Sequence, residues 1–207
     1  MSRAAAALLA LALIALVVSS VHPYDRATWF MEVAPIFIAA PIMIATYRRF
    51  PLTDMLYMII AVHALVLIFG GAYTYARVPL GDWLERLLAL DRNPYDRIGH
   101  FMQGLTPALL AREIFLRGGY VAGRRMTAFI CVCVAMTVSA CYELIEWWAA
   151  LALGQGADAF LGTQGDPWDT QGDMFSAIIG SVVGLAAFSR LQDVQIRTLQ
   201  MRPVRSL

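Results

Sequence analysis

Three pairs of polar residues stand at spacings that place both members on one helix face: Asp96 with His100, Glu143 with Glu146, and Asp169 with Asp173. Residues three or four apart on an α-helix are neighbours. Carboxylates joined by an imidazole are a ligand set for Mg²⁺, Mn²⁺, Fe²⁺ or Zn²⁺. Helix bundles build metal centres from such inward-pointing pairs. The pattern nominates Asp96, His100, Glu143, Glu146, Asp169 and Asp173 as metal ligands, with Glu143, Glu146 and His100 as the catalytic candidates. A metal there would polarise a phosphoryl or carbonyl oxygen while a glutamate acts as general base. Arg97, beside Asp96, suits either a carboxylate or a bound phosphate. With Gln103, one turn below His100, and Asp166, it makes the candidate substrate-binding set. The same residues also suit a network that hydrogen-bonds across helices and only fixes their packing.

The elements that must position these residues are membrane spans. Of 207 residues 59% are apolar and only 15% charged, with a mean hydropathy of +0.62; soluble domains run at about 45–50% and about 25%. This excludes a disordered chain and an ordinary cytosolic enzyme, and the net charge of +1 argues against a nucleic-acid partner. Six apolar stretches, residues 4–20, 28–47, 55–76, 98–116, 126–150 and 172–188, approach the roughly 20 residues a span needs. They are runs rather than alternations, so helices are expected. The expected fold is all-α: one integral membrane domain over residues 1–207, a bundle of about six transmembrane helices. Pro35 and Pro41 should break the second stretch. The first stretch, with Arg3 before it and Ser19-Ser20 after it, also reads as a cleaved signal peptide.

Every one of the 16 basic residues is Arg. Arg3, Arg48 and Arg49, Arg117, Arg124 and Arg125, and the C-terminal Arg190, Arg197, Arg202 and Arg205 fall on one side of a six-span chain. That side should be the cytoplasm, with both termini in it. The loop after the fifth stretch carries Asp158, Asp166 and Asp169 without an Arg and should lie outside. The three pairs then meet in the outer leaflet, where ionisable residues mark function by default. Glu32 and His22 fall in the same layer.

Other features read more plainly. Residues 83–88 suit a short amphipathic helix on the outer interface. Two TQGD units, Thr163–Asp166 and Thr170–Asp173, suggest successive turns. Gly172, Ser176, Gly180 and Gly184 form a small-residue stripe that lets another helix approach; packing within the chain is favoured over a homodimer seam. His63 should pack with one hydrogen bond, Trp147 and Trp148 should anchor an interface, and Cys131, Cys133 and Cys141 should serve as small apolar residues. The segment from Gln192 should be a polar cytoplasmic tail. The inner halves of the last three spans offer few polar groups, Thr106, Thr127, Thr137 and Ser181, which favours a one-sided site over a transport path. No P-loop, dinucleotide fingerprint, H-E-x-x-H or G-x-S-x-G is present.

The stretches Asn93-Pro94-Tyr95-Asp96-Arg97-Ile98-Gly99-His100-Phe101, Tyr142-Glu143-Leu144-Ile145-Glu146-Trp147 and Asp166-Pro167-Trp168-Asp169-Thr170-Gln171-Gly172-Asp173-Met174 resemble the YjdF-like family of uncharacterised bacterial multi-pass inner membrane proteins. That resemblance implies topology and location rather than an activity. A more distant similarity is to VanZ-like proteins, associated with glycopeptide resistance. Asp96-Arg97-Ile98-Gly99-His100-Phe101 matches their D-[KR]-x-x-H-F, Glu143 or Glu146 their membrane glutamate, and Asp173 and Gly180 their last motif, whose Asn position is Ala177 here.

Two functional classes stay open. One is a metal-assisted integral membrane enzyme acting on a lipid-linked or phosphorylated envelope substrate at the outer leaflet. The other is a non-enzymatic binder or transporter of a cation or proton. The remaining alternative is a purely structural buried polar network.

Overall fold

The computed structural model describes residues 1–153 and 164–201. Asp158, Thr163, Arg202 and Arg205 lie outside the described residues. Those described form seven α-helices, one short 3-10 turn and no strand: α1 (Arg3–Ser19), α2 (Arg26–Thr46), α3 (Asp54–Tyr73), the turn Tyr75–Arg77, α4 (Pro79–Leu88), α5 (Tyr95–Gly118), α6 (Arg124–Leu153) and α7 (Asp169–Gln200). Among the described residues α2, α3, α6 and α7 are long and apolar enough to cross a membrane. The 17 residues of α1 reach only about 26 Å. The 24-residue α5 has the length, but Asp96, Arg97, His100, Gln103, Arg112 and Glu113 make it the most polar of the long helices.

The outward faces are apolar in the way a lipid-facing surface must be. Ile14, Val18, Ile38, Ile44, Phe129 and Phe175 are all exposed. The polar residues of α5 point the other way, against α7, α6 and α3, and Asp96, His100, Arg112 and Glu113 are all buried. A helix with its ionisable groups turned inward is the arrangement hydrocarbon surroundings demand.

The seam between α5 and α7 depends on glycine. A Cβ at Gly180 would strike the carbonyl oxygen of Phe101, one at Gly104 the carbonyl oxygen of Ala177, and one at Gly184 would come within 2.9 Å of the Leu105 side chain. The small-residue stripe therefore faces a helix of its own chain. The expected consequence of Gly180→Leu is that α5 and α7 are forced apart. Overpacking of this kind costs about 1–3 kcal/mol, to be read as a lowered unfolding temperature in detergent.

Three expectations change. Helix α2 continues through Pro35 and Pro41; one missing N–H bends a membrane helix without ending it when the freed carbonyls find other partners. Residues 192–200 of the segment expected to be a free tail are the last turns of α7. Gln192, Gln195 and Ile196 share a face at spacings of three and four; Gln192 and Ile196 are buried, and Gln195 accepts from the Met55 backbone N–H at 3.0 Å. Of the TQGD units, Gly165 (φ +82°) sits in a turn, whereas residues 170–173 lie in the first turns of α7.

Helix α1 packs on α3, burying Ala5 and Ala12. Its amino-terminal Ser2 N–H donates to Asp54 at 2.7 Å, and at its far end Trp29 Nε1 donates to Ser19 Oγ at 2.9 Å. The helix expected within residues 83–88 is present as α4, with Leu80, Trp83, Leu87 and Leu88 exposed on its surface.

Candidate functional site

The N-termini of α5 and α7 come together, and each carries an aspartate in its first turn. The positive end of a helix favours negative charge, so two such ends are a reason for carboxylates to gather here. The connecting backbone is fixed by Asn93. Its side chain donates to Asp82 at 2.7 Å and to the Val78 carbonyl at 3.1 Å, and accepts from Tyr95 N–H at 3.0 Å. Its own N–H and C=O pair with the Gln164 amide at 3.1 Å and 3.0 Å. This clasp ties the segment before α7 to the start of α5.

Asp96, His100 and Asp173 are buried and each offers one ligand atom, all within 4.8 Å of one another. His100 Nε2 lies 3.5 Å from Asp96 Oδ1 and 3.8 Å from Asp173 Oδ1. On its other side Nδ1 meets the Gln103 carbonyl oxygen at 3.0 Å. A carbonyl oxygen only accepts, so with the amide in that orientation Nδ1 carries the proton. A neutral His100 then turns the Nε2 lone pair toward two carboxylates. That arrangement calls for a cation between them or a second proton on the ring. For metal–ligand bonds of about 2.0–2.2 Å, tetrahedral ligands stand about 3.4 Å apart, so the imidazole and each carboxylate need close by less than half an ångström and the donors farthest apart by up to about 1.4 Å. Gln103 is the kind of partner that fixes a ligating imidazole.

The other predicted site residues surround this trio. Glu143 Oε1 lies 3.6 Å from His100 Nδ1. Among the described residues that oxygen and Asp96 Oδ2 are buried with no hydrogen-bond partner. Arg97 donates to Asp173 at 2.7 Å and to the Asp169 carbonyl at 2.7 Å, and its other nitrogen meets Asp166 at 3.2 Å and Asp169 at 3.3 Å. Gly172 is what lets it in, because a Cβ there would collide with the guanidinium. Glu146 stands off from the trio and lines a cavity of about 10 Å³ together with Glu32, Tyr75, Asp96, His100 and Tyr142, room for about one water-sized occupant. Tyr142 donates to Glu32 at 3.2 Å. His22 is exposed, and His63 Nε2 is buried without the hydrogen bond expected of it.

The sequence reading passed over Arg92. It pairs with Asp169 at 2.6 Å, Asp166 at 3.3 Å and Asp96 at 3.7 Å. Its position four residues before Asp96 was the available signal. Two arginines thus face Asp96, Asp166, Asp169, Asp173 and Glu143, with Glu146 and Glu32 close by. This surplus of carboxylates in a low-dielectric interior calls for protons or a cation.

A second polar network was missed altogether, at the other end of α5. Glu113 is 0% exposed. It accepts from Thr53 N–H at 2.9 Å, Thr53 Oγ1 at 2.7 Å, Arg117 at 3.0 Å and Gln192 at 3.3 Å. Arg112 donates to Gln192 at 2.9 Å and to Asp193 at 2.6 Å. The expectation of a sparsely polar inner half fails here. The rule that flagged the outer pairs applied equally to Arg112 and Glu113 inside the fourth apolar stretch.

Fold and site define the class: a helical membrane protein with a buried carboxylate–imidazole cluster gathered by the ends of its helices. The chain belongs to the family described as "Predicted membrane protein (DUF2238)", whose family model matches residues 4–194. It is 55% identical over 182 residues to the inner membrane protein YjdF of Escherichia coli (strain K12), which covers 88% of this chain and 87% of that protein. The resemblance drawn from the three motifs is thereby borne out. No solved structure matches the chain.

Proposed function

We propose that the chain crosses the inner membrane six times with both termini in the cytoplasm, and that it holds one divalent cation at the outer leaflet in a metal-assisted enzyme site for a lipid-linked or phosphorylated envelope substrate. The observation that carries this reading is the meeting of Asp96, His100 and Asp173 within ligand distance of one another, beside two buried carboxylate oxygens that, among the described residues, accept no hydrogen bond and have only longer charge contacts at 3.6–3.7 Å. A packing network would have used those oxygens, because an unpaired buried polar group costs about 1–3 kcal/mol.

In this reading Asp96, His100 and Asp173 bind the ion. Glu143, whose Oε1 lies 3.6 Å from His100 Nδ1 on the other side of the ring, is the general base, with an oxygen that accepts no hydrogen bond among the described residues. Asp169 and Asp166 hold the arginines in place, and Arg92 and Arg97 present guanidinium groups to a phosphate arriving from the headgroup layer. Glu146 and the small cavity it lines provide room for a water. The donor set of two carboxylates and an imidazole suits Zn²⁺, Mn²⁺ or Fe²⁺ better than Mg²⁺. The Arg asymmetry supports the orientation, and the packing of α1 on α3 supports the first span.

Elemental analysis of the detergent-purified protein, prepared without chelators and after metal add-back, tests the reading. The expected result is about one ion per chain in the wild type and none in Asp173→Asn, since loss of one of three ligands removes a defining donor. No ion in either protein would overturn it. With the ion found, hydrolysis of phosphorylated lipids then separates an enzyme from a cation binder.

A further inference from the structure

The opposite end of the bundle holds a second opening, a cleft of about 340 Å³ between the end of α5, the start of α6 and the later turns of α7. Arg112, Arg124 and Arg190 line it, and among the described residues no acidic side chain does. Arg112 already engages Asp193 at 2.6 Å. Arg124 and Arg190 are exposed and, among the described residues, have no carboxylate partner. Leu116 and Leu185 supply an apolar wall.

Positive charge and an apolar trough occur together, at the end of the helices where headgroups meet water. A soluble anion would use only the charge, and an aliphatic ligand only the trough. An amphiphile with a phosphate and acyl chains uses both. Arginine forks match phosphate oxygens two at a time, and basic pockets between transmembrane helices take phospholipid headgroups. We infer that this cleft binds the phosphate headgroup of an anionic glycerophospholipid, whose acyl chain runs along Leu116 and Leu185. The site is separate from the Asp96 cluster and does not depend on its chemistry.

The test is native mass spectrometry of the full chain in detergent, titrated with phosphatidylglycerol and, for comparison, with zwitterionic phosphatidylethanolamine. Three variants are compared: Arg124→Gln/Arg190→Gln, Ala128→Leu, which fills the cleft and keeps every arginine, and Arg48→Gln/Arg49→Gln, which removes two exposed arginines elsewhere on the same side. Phosphatidylglycerol retention should fall about tenfold in the first two and stay unchanged in the third. An equal loss in the third variant would show diffuse surface charge and overturn the site. Undiminished retention in the first two would overturn it as well. Displacement of the lipid by millimolar inorganic phosphate would make the ligand a soluble anion. An unchanged unfolding temperature for Ala128→Leu keeps its result separate from misfolding.

Discussion

In the proposed site, His100→Ala should abolish divalent-metal binding, and Gln103→Leu should weaken it by about 10–100-fold. The first removes the imidazole that faces Asp96 at 3.5 Å and Asp173 at 3.8 Å. The second leaves every ligand in place and removes only the carbonyl that holds Nδ1 at 3.0 Å. Without that partner the ring can rotate or take the other tautomer, and Nε2 no longer points its lone pair at the carboxylates. Equilibrium titration with Zn²⁺ or Mn²⁺ reads both effects. Because carboxylate and imidazole ligands must be free of protons to bind, affinity also falls as the solution is acidified. Equal, small effects from the two substitutions would mean that His100 is a packing residue. A loss in His100→Ala with none in Gln103→Leu would keep the ligand and dismiss its positioning partner.

The Asp96–His100–Asp173 cluster was legible because its signals were independent. Helical spacing paired Asp96 with His100 and Asp169 with Asp173, and Arg placement alone assigned all of them to one leaflet. Proximity followed from topology with no knowledge of packing. What could not be read was division of labour within the cluster. Glu143 and Glu146 share a helix face, yet one lies 3.6 Å from His100 while the other lines the cavity beside Glu32. Three steps of about 100° leave the two side chains about 60° apart in direction, and the packing of α5 on α6 with the Tyr142–Glu32 bond decides which goes where. Arg92 escaped because it is one of several mixed charges between residues 77 and 97, among them Arg77, Asp82, Glu85, Arg86 and Asp91. The extent of α7 escaped for a related reason. Gln192 and Gln195 read as tail composition until Glu113 and Met55 are seen to receive them. Polarity near a span's end does not separate solvated residues from residues clasped between helices, since both stop the hydropathy signal at the same place.

The two ends of α5 give opposite expectations for mutagenesis, and Glu113→Ala is the sharper case. The Glu113 carboxylate binds four donors on three segments: the Thr53 N–H and hydroxyl, Arg117 and Gln192. Around it Arg117 also donates to the Pro51 carbonyl at 2.6 Å and lies 3.6 Å over the Phe50 ring. Among the described residues none of Thr53, Arg112, Glu113 and Gln192 leaves a buried side-chain atom unpaired. Removing one partner of a buried charged network strands the others, at a cost of about 3–5 kcal/mol. Glu113→Ala should therefore unfold at far lower temperature or denaturant in detergent, and Glu113→Gln, which keeps the shape and one acceptor, should fall between. Asp173→Asn should cost less than Glu113→Ala and lose metal binding instead, because the Asp96 cluster already tolerates buried oxygens without a hydrogen bond at Asp96 and Glu143. The contrast is physical: a network built for stability completes its hydrogen bonds, while one built to receive a ligand keeps acceptors open for it. Should Asp173→Asn destabilise the protein as much as Glu113→Ala, both ends of α5 would be structural clasps, and the outer one would lose its claim to chemistry.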